Sequence, residues 1–455
     1  MRRENAAMPA TLDVDRFIDQ NRLGPFHAVL LTLCFLVMFA DGYDLAALSY
    51  IAPALMEQWG LSKPQLGQAL SAALFGLAGG AMLGGPLADR LGRKPAVIAS
   101  TLLFGVGSLL TAAADSLSTL TVYRLLTGIG LGAALPNTIT LLSEYSPARR
   151  RALLVSSMLC GFPLGAGAGG LCAGWLIPSY GWRAPLWLGG VFPLLLALAL
   201  YRWLPESVRY LVARRRSVAD IRQRLRRLAA TPELERAAAF RLGGPSEDAP
   251  RDGLRAVLSR PLAAGTLLLW LSCFMSMLIY YLVVNWMPLL LKEAGLSLSR
   301  FAWISALFPL GGGVGSILLG WWMGRAEPHR LLAANFVASG MLAWAIGAAV
   351  AQGEQGGQLG LLVFCMGFAS GGGQSALASL SAAFYPTHCR ASGVGGMYGV
   401  GRGGAIFGVL AGAELMRQQA RPDWIFNALL LPAIIIAISL LLKRRRYAPS
   451  LTREI

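Results

Sequence analysis

Two aspartates three residues apart, Asp41 and Asp44, sit in the otherwise apolar run Phe39-Ala40-Asp41-Gly42-Tyr43-Asp44-Leu45-Ala46-Ala47. If the run is helical, both carboxyls share one face. A carboxylate inside a bilayer is costly and marks a proton, ion or substrate path. Burial and a nearby arginine pull a carboxyl's proton affinity in opposite directions, and that balance tunes a proton site. Two arginines, Arg124 and Arg402, also lie within apolar segments. Gly399, Gly401, Gly403 and Gly404 surround Arg402 and would leave room for something bulky. Its planar guanidinium either neutralises an aspartate or grips a carboxylate substrate with two parallel hydrogen bonds. Tyr280, Tyr281, Asn285, Trp286 and Gln374 are further polar or aromatic candidates.

These residues must be carried by helices that cross a membrane. Hydrophobic residues make up 55% of the chain and charged ones 14%. A soluble surface needs about 25% charged residues. The balance excludes a soluble enzyme, a disordered chain and a secreted disulfide scaffold. About 20 apolar residues span a bilayer. Twelve segments qualify, near 27–50, 66–88, 95–114, 119–143, 153–177, 185–204, 262–291, 300–323, 330–351, 357–381, 391–416 and 423–442. The expected fold is all-α, with twelve transmembrane helices in two pseudo-symmetric six-helix bundles. Residues 1–204 form the first, 261–455 the second, and an arginine-rich linker, 205–260, joins them. Short amphipathic helices are expected in the linker around 216–230.

Charge sets the orientation. With a cytoplasmic N-terminus, 32 Lys and Arg lie on the inner side and 6 on the outer. Excess Lys and Arg mark cytoplasmic loops, so both termini are expected inside a bacterial cytoplasmic membrane. In a soluble chain the net charge of +17 would point to nucleic acid. Here it marks loops, and no nucleic-acid partner is expected. The first 25 residues are polar and contain no cleavable signal peptide. The halves repeat: Cys34-Phe35 matches Cys273-Phe274, Gly60-Leu61-Ser62 matches Gly295-Leu296-Ser297, and Tyr145-Ser146-Pro147 resembles Tyr385-Pro386-Thr387. The near-constant offset implies duplicated six-helix units, whose interface commonly holds the substrate at the midplane.

The loop after the second span reads Gly85-Pro86-Leu87-Ala88-Asp89-Arg90-Leu91-Gly92-Arg93-Lys94. It resembles the G-x-x-x-D-R-x-G-R-[KR] element of the major facilitator superfamily. Gly85 would allow close helix approach, and Asp89 would cap or bridge a neighbouring helix end. The equivalent run in the second half has Gly324 where the acid should be, so a symmetric second latch is not expected. Arg124-x-x-x-Gly128-x-Gly130-x-Gly132-x-x-x-Pro136 resembles the superfamily's arginine-glycine motif in the fourth span. Glu144-Tyr145-Ser146-Pro147-Ala148-Arg149-Arg150-Arg151 and Pro205-Glu206-Ser207 resemble stretches of its sugar-porter and organic-acid branches. Gly85, Asp89, Arg93, Glu144, Arg150 and Glu206 are therefore the expected gating group on the inner side.

Asp41-Gly42-Tyr43-Asp44 is similar to the D-G-[FY]-D element of the aromatic acid/proton symporter family. Leu135-Pro136-Asn137, Ala383-Phe384-Tyr385-Pro386-Thr387, Ala391-Ser392-Gly393-Val394-Gly395 and Gly399-Val400-Gly401-Arg402 extend the likeness over both halves. The resemblance implies proton-coupled import of an aromatic carboxylate such as a hydroxybenzoate or protocatechuate. Asp41 and Asp44 would couple protons. Arg402, Arg124, Asn137, Tyr280, Asn285 and Gln374 would bind substrate. The alternatives are a proton-linked symporter for sugars, polyols or aliphatic acids, or a transporter-like chemoreceptor. Helix depths suggest two layers, Asp44 with Arg124 and Asp41 with Arg402.

No nucleotide-binding sequence, nucleophile or metal cluster is evident, so no cofactor, metal or enzymatic activity is expected. The six cysteines read as packing residues, and His27, His329 and His388 lack metal-ligand spacing. A monomer in the lipid bilayer, taking a small aromatic acid and protons, is the expected working unit.

Overall fold

The structure is a computed structural model that describes residues 11–242, 253–354, 356–386 and 389–451. Thr387, His388 and linker residues 243–252 lie outside the described residues. Among the described residues, twelve long helical passes follow one another along the chain. The first six are α1 Pro25–Trp59, α2 Lys63–Leu91, α3 Arg93–Ala112, α4 Leu117–Tyr145, α5 Ala148–Tyr180 and α6 Arg183–Trp203. The second six are α7 Arg260–Glu293, α8 Leu298–Met323, α9 Pro328–Ala351, α10 Gly357–Phe384, α11 Arg390–Arg417 and α12 Pro422–Tyr447. Helices are required here because lipid offers the backbone no hydrogen-bond partners. Eleven of the twelve are apolar enough by composition to cross a membrane. The exception is α11, glycine-rich and interrupted by Arg402.

Two passes are broken. In α5 the break falls at Cys160, because Pro163 has no N–H to give the carbonyl of Leu159. In α12 it falls at Leu429, because Pro432 likewise leaves Ala428 without a donor. The fifth span therefore starts at 148, earlier than the 153 expected from hydropathy.

The duplicated Gly-Leu-Ser is a helix stop followed by a helix start. Gly60 and Gly295 have φ of 61° and 90°. Each lets the next leucine N–H reach back, Leu61 to the Met56 carbonyl and Leu296 to the Leu291 carbonyl. This is the left-handed helix ending that glycine makes possible. Ser62 and Ser297 then occupy the N-cap positions of α2 and α8. Packing repeats as well. Gly128 and Gly132 of α4 lie against the backbone of Ala73 and Leu77 on α2, while Gly130 faces Phe104 and Ser100 on α3. The two-residue spacing thus serves two neighbours. Gly311 and Gly315 of α8 lie in the same way against Phe364 and Phe368 of α10. Small residues of this kind let membrane helices approach at the backbone.

The N-terminal segment folds onto the linker, which sequence alone did not indicate. Thr11–Asp13 pairs in parallel with Ala239–Arg241. Arg209 of the linker bonds Asp15 at 2.7 Å, and the amphipathic helix Val218–Arg226 buries Ile221 and Leu225. At the opposite end of the bundle, ion pairs join the two halves: Lys63 with Glu293 at 2.8 Å and Lys292 with Glu57. Among the described residues, no ion pair joins α1–α6 to α7–α12 at the linker end.

Candidate functional site

Consecutive residues of a helix point about 100° apart, and Asp41 to Asp44 use this to reach different surroundings. A Cβ on Gly42 would fall on the Phe162 carbonyl oxygen, so glycine lets α1 touch α5 there. Tyr43 donates its hydroxyl to the Pro185 carbonyl at 3.0 Å, tying α1 to α6. Asp44 meets Arg124 of α4. One guanidinium nitrogen lies 3.1 Å from Asp44 Oδ2, and another donates to the Asp44 carbonyl at 3.1 Å. Both side chains are fully enclosed, at 0% and 1% exposure. Removing one partner of such a pair strands the other and costs about 3–5 kcal/mol.

Asp41 is also buried, and its Oδ1, like Asp44 Oδ1, has no hydrogen-bond partner. Arg402 acts electrostatically on both Asp41 and Tyr281. It forms no direct pair with Asp41. Its Nη1 instead donates to the Leu77 carbonyl of α2 at 2.6 Å, across the boundary between the halves. No carboxylate oxygen lies within 4.0 Å of it among the described residues. The expected layering is therefore realised as a contact for Asp44 with Arg124, and only as proximity for Asp41 with Arg402.

The glycines around Arg402 require a correction. A Cβ on Gly401 would meet Cys273 Sγ at 2.7 Å and Met277 Sδ at 2.9 Å, and one on Gly404 would strike the Phe274 backbone. These positions admit α7 rather than leaving a void. Gly399 alone of the four has open space around it. Tyr398, one turn before Arg402, shares its electrostatic surroundings with Tyr281. Sequence reasoning missed Tyr398, although its four-residue spacing from Arg402 was the available signal.

The other binding candidates divide. Asn137 donates to the Gly84 carbonyl at 3.1 Å and the Ala133 carbonyl at 2.8 Å, so its amide hydrogens join α4 to α2. Asn285 donates to the Tyr281 carbonyl at 2.8 Å and accepts from Ser49 Oγ at 3.3 Å, linking α7 to α1. Trp286 is fully buried and donates to the Val409 carbonyl at 2.9 Å. Tyr280 packs its ring against Tyr281 and Phe308. Gln374, half-buried on α10, makes no hydrogen bond among the described residues. Ser276, Ser305 and Ser370, which sequence did not single out, carry buried hydroxyls without partners.

At the linker end, most of the gating candidates meet. Asp89 Oδ1 bonds Arg93 at 2.6 Å, bridging the end of α2 to the start of α3. Capping of α3 falls to Glu206, whose Oε1 accepts the N–H groups of Arg93 at 2.8 Å and Lys94 at 3.1 Å. These are orphan donors of a helix start. Glu144 accepts from Ser207 Oγ beside it, and Tyr145 donates its hydroxyl to the Glu206 carbonyl. Arg150 is exposed and stands apart from this cluster. Gly85 also departs from expectation, since nothing lies within 4 Å of a Cβ there; Gly84 makes the close approach, to Ala133.

The second half has a charged cluster of its own, three residues beyond Gly324, the position where the first half has its acid. Glu327 caps α9, accepting from the N–H groups of His329 at 3.2 Å and Arg330 at 2.9 Å. It also pairs with Arg444 of α12 at 3.2 Å. His329 bridges Glu327 to Lys443, whose Nζ lies 3.1 Å from His329 Nε2.

Helical pairs repeated across two bundles, with unshared charges between them, define a membrane transporter fold. The chain belongs to the Major Facilitator Superfamily, whose model matches residues 34–408, and within it to a family of aromatic-acid transporters. It is 43% identical to the 4-hydroxybenzoate transporter PcaK of Pseudomonas aeruginosa over 96% of this chain and 97% of that one. It is 40% identical to a gallate transporter of Pseudomonas putida over 97% and 98% of the two chains. In structure it is similar to a bacterial homologue of the human lysosomal transporter Spinster, with a TM-score of 0.70 at 16% identity, covering 94% of this chain and 99% of that one.

Proposed function

We propose that this protein imports an aromatic carboxylate together with protons across the bacterial cytoplasmic membrane, with both termini in the cytoplasm. The observation that supports this is Arg402, a largely enclosed guanidinium held by a backbone carbonyl and lacking a carboxylate partner among the described residues. A buried charge is stable only when paired. A substrate carboxylate supplies the missing partner with the bidentate geometry that guanidinium favours. Tyr281 and Tyr398 beside it offer aromatic surfaces suited to a benzoate ring. The relatives' substrates, 4-hydroxybenzoate and gallate, are acids of this kind.

Asp41 is the proton site in this reading. Protonation removes the negative charge that would compete with substrate for Arg402. Asp44 and Arg124 hold α1 against α4 so that Asp41 keeps its position. Arg124, Asn137 and Asn285 act on binding through helix placement, and Gln374 and Tyr280 complete the wall. The excess of basic residues at the linker end supports the orientation. Units 1–204 and 261–455 rock against each other about this site, with 205–260 as the joint. The cluster of Asp89, Arg93, Glu144 and Glu206 gates the cytoplasmic side. One chain in the bilayer supplies every part, so the working unit is a monomer that transports without altering its substrate.

The test is uptake of radiolabelled 4-hydroxybenzoate by vesicles containing the protein, under an imposed proton gradient. Accumulation that collapses with a protonophore supports the proposal. Accumulation that persists, or uptake of sugars but no aromatic acid, overturns it.

A further inference from the structure

Away from the central site, a cavity of ≈ 650 Å³ opens where α3 and α6 leave the spanning region at the linker end. Its walls differ in chemistry. Lys94, Arg216 and Arg224 line the linker side, and Ile98, Leu102 and Tyr201 line the side toward the helices. Lys94 Nζ donates to the Tyr201 carbonyl at 2.8 Å, which occupies one of its three hydrogens. The side chains of Arg216 and Arg224 make no hydrogen bond or ion pair among the described residues, although Arg224 is half-buried. Arg224 and Arg227 both act on Lys94 as like charges. Two acids also line the cavity, Glu206 and Asp220. Glu206 Oε1 is already taken by three backbone N–H groups, and Asp220 forms no ion pair within 4.0 Å. Several cations of one sign are thus held together without enough acid to match them.

The surroundings identify the missing partner. Below the cations, Leu198 at 68% and Tyr201 at 70% exposure continue the apolar wall along α6. Leu102, Leu103 and Val106 continue it along α3. Exposed Tyr201 and Trp203 stand where α6 ends, at the level where aromatic side chains meet lipid headgroups. A free anion would use only the basic wall. A ligand with an anionic head and long apolar chains uses both, and basic pockets at membrane helix ends take such lipids.

We propose that this cavity binds one anionic glycerophospholipid from the leaflet at the linker end. Its phosphate lies among Lys94, Arg216 and Arg224, and its acyl chains lie in the groove between α3 and α6. Because Glu206 lines the cavity and caps α3, the bound lipid joins the linker to the first half.

The experiment uses the full chain, purified in detergent and titrated with phosphatidylglycerol or phosphatidylcholine while retained lipid is counted by native mass spectrometry. Wild type should retain one phosphatidylglycerol. The Arg216→Gln/Arg224→Gln variant should bind it roughly 30-fold more weakly, the weight of two cations near a charged surface. Both arginines lack partners, so the variant should melt like wild type, and Arg216→Lys/Arg224→Lys should restore binding. A phosphatidylglycerol with a photoreactive acyl chain should label α3 or α6 near Leu102 or Leu198. Equal retention by wild type and the glutamine variant would overturn the proposal, as would labelling confined to other helices. Displacement of the lipid by millimolar inorganic phosphate would also overturn it, assigning the site to a soluble anion.

Discussion

Two arginines, the fully buried Arg124 and the partly buried Arg402, stand near two buried aspartates of one helix, yet their situations differ. Arg124 reaches both the carboxylate and the carbonyl of Asp44, and the pair is closed off. Among the described residues Arg402 reaches the carbonyl of Leu77 and no carboxylate, while Asp41 and Asp44 each keep one buried oxygen, Oδ1, without a hydrogen-bond partner. A buried ion pair is weak evidence for function, because its members offset each other's charge. A charge with no ionic partner points to one it could take. In the proposed reading the Asp44 layer holds the fold and the Asp41 layer serves the transport cycle.

The comparison breaks most sharply at the closed pair. Arg124→Ala should destabilise the protein by about 3–5 kcal/mol, since it leaves Asp44 buried and unpaired. Thermal unfolding in detergent measures this, and Asp44→Asn added to Arg124→Ala should recover part of the loss. An unchanged melting temperature in the single variant would remove Arg124 from the structural role. Asp41→Asn should behave in the reverse way. Melting should stay close to wild type, because Asp41 Oδ1 has no partner to lose. Uphill accumulation into vesicles under an inward-directed proton gradient should vanish while exchange of substrate across the membrane continues. Full accumulation by this variant would exclude Asp41 from coupling.

Smaller effects should separate the linker-end corners of the two halves. Glu206 caps α3 from across the linker, whereas Glu327 caps α9 from within its own corner. Losing a cap costs about 0.5–2 kcal/mol. Glu206→Ala should also loosen the linker, so limited proteolysis of the linker should quicken. Glu327→Ala should leave linker cleavage unchanged. Equal cleavage of both variants would mean that Glu206 does not tie the linker down.

The contrast between the corners also marks how far sequence could be read. The spans, the orientation of charge and the duplicated Gly-Leu-Ser follow from local physics, because lipid exposure and positive φ leave few choices. Asp44 with Arg124 was legible because helix rise fixes depth. Glu327 escaped notice because a cap can move three residues along the chain and still serve the same helix start. The glycines around Arg402 were misread as space because sequence does not reveal which neighbour fills them; here α7 does. The hydrogen bonds of Asn137 and Asn285 to backbone carbonyls could not be read from sequence either, because such partners carry no residue signature. The folding of the N-terminal segment onto the linker rests on pairing between residues more than 220 positions apart, beyond the reach of local patterning.

The central claim is that Arg402 recognises a carboxylate, and charge removal on both sides tests it directly. Binding of 4-hydroxybenzoate and of neutral 4-hydroxybenzamide can be measured by calorimetry on purified wild type and Arg402→Gln. Wild type should prefer the acid by roughly 100-fold, about 2.7 kcal/mol for a buried charged hydrogen-bonded pair. Arg402→Gln should bind both compounds with similar, weak affinity while melting like wild type. A variant that still favours the acid by the wild-type factor would contradict the account and place the carboxylate elsewhere.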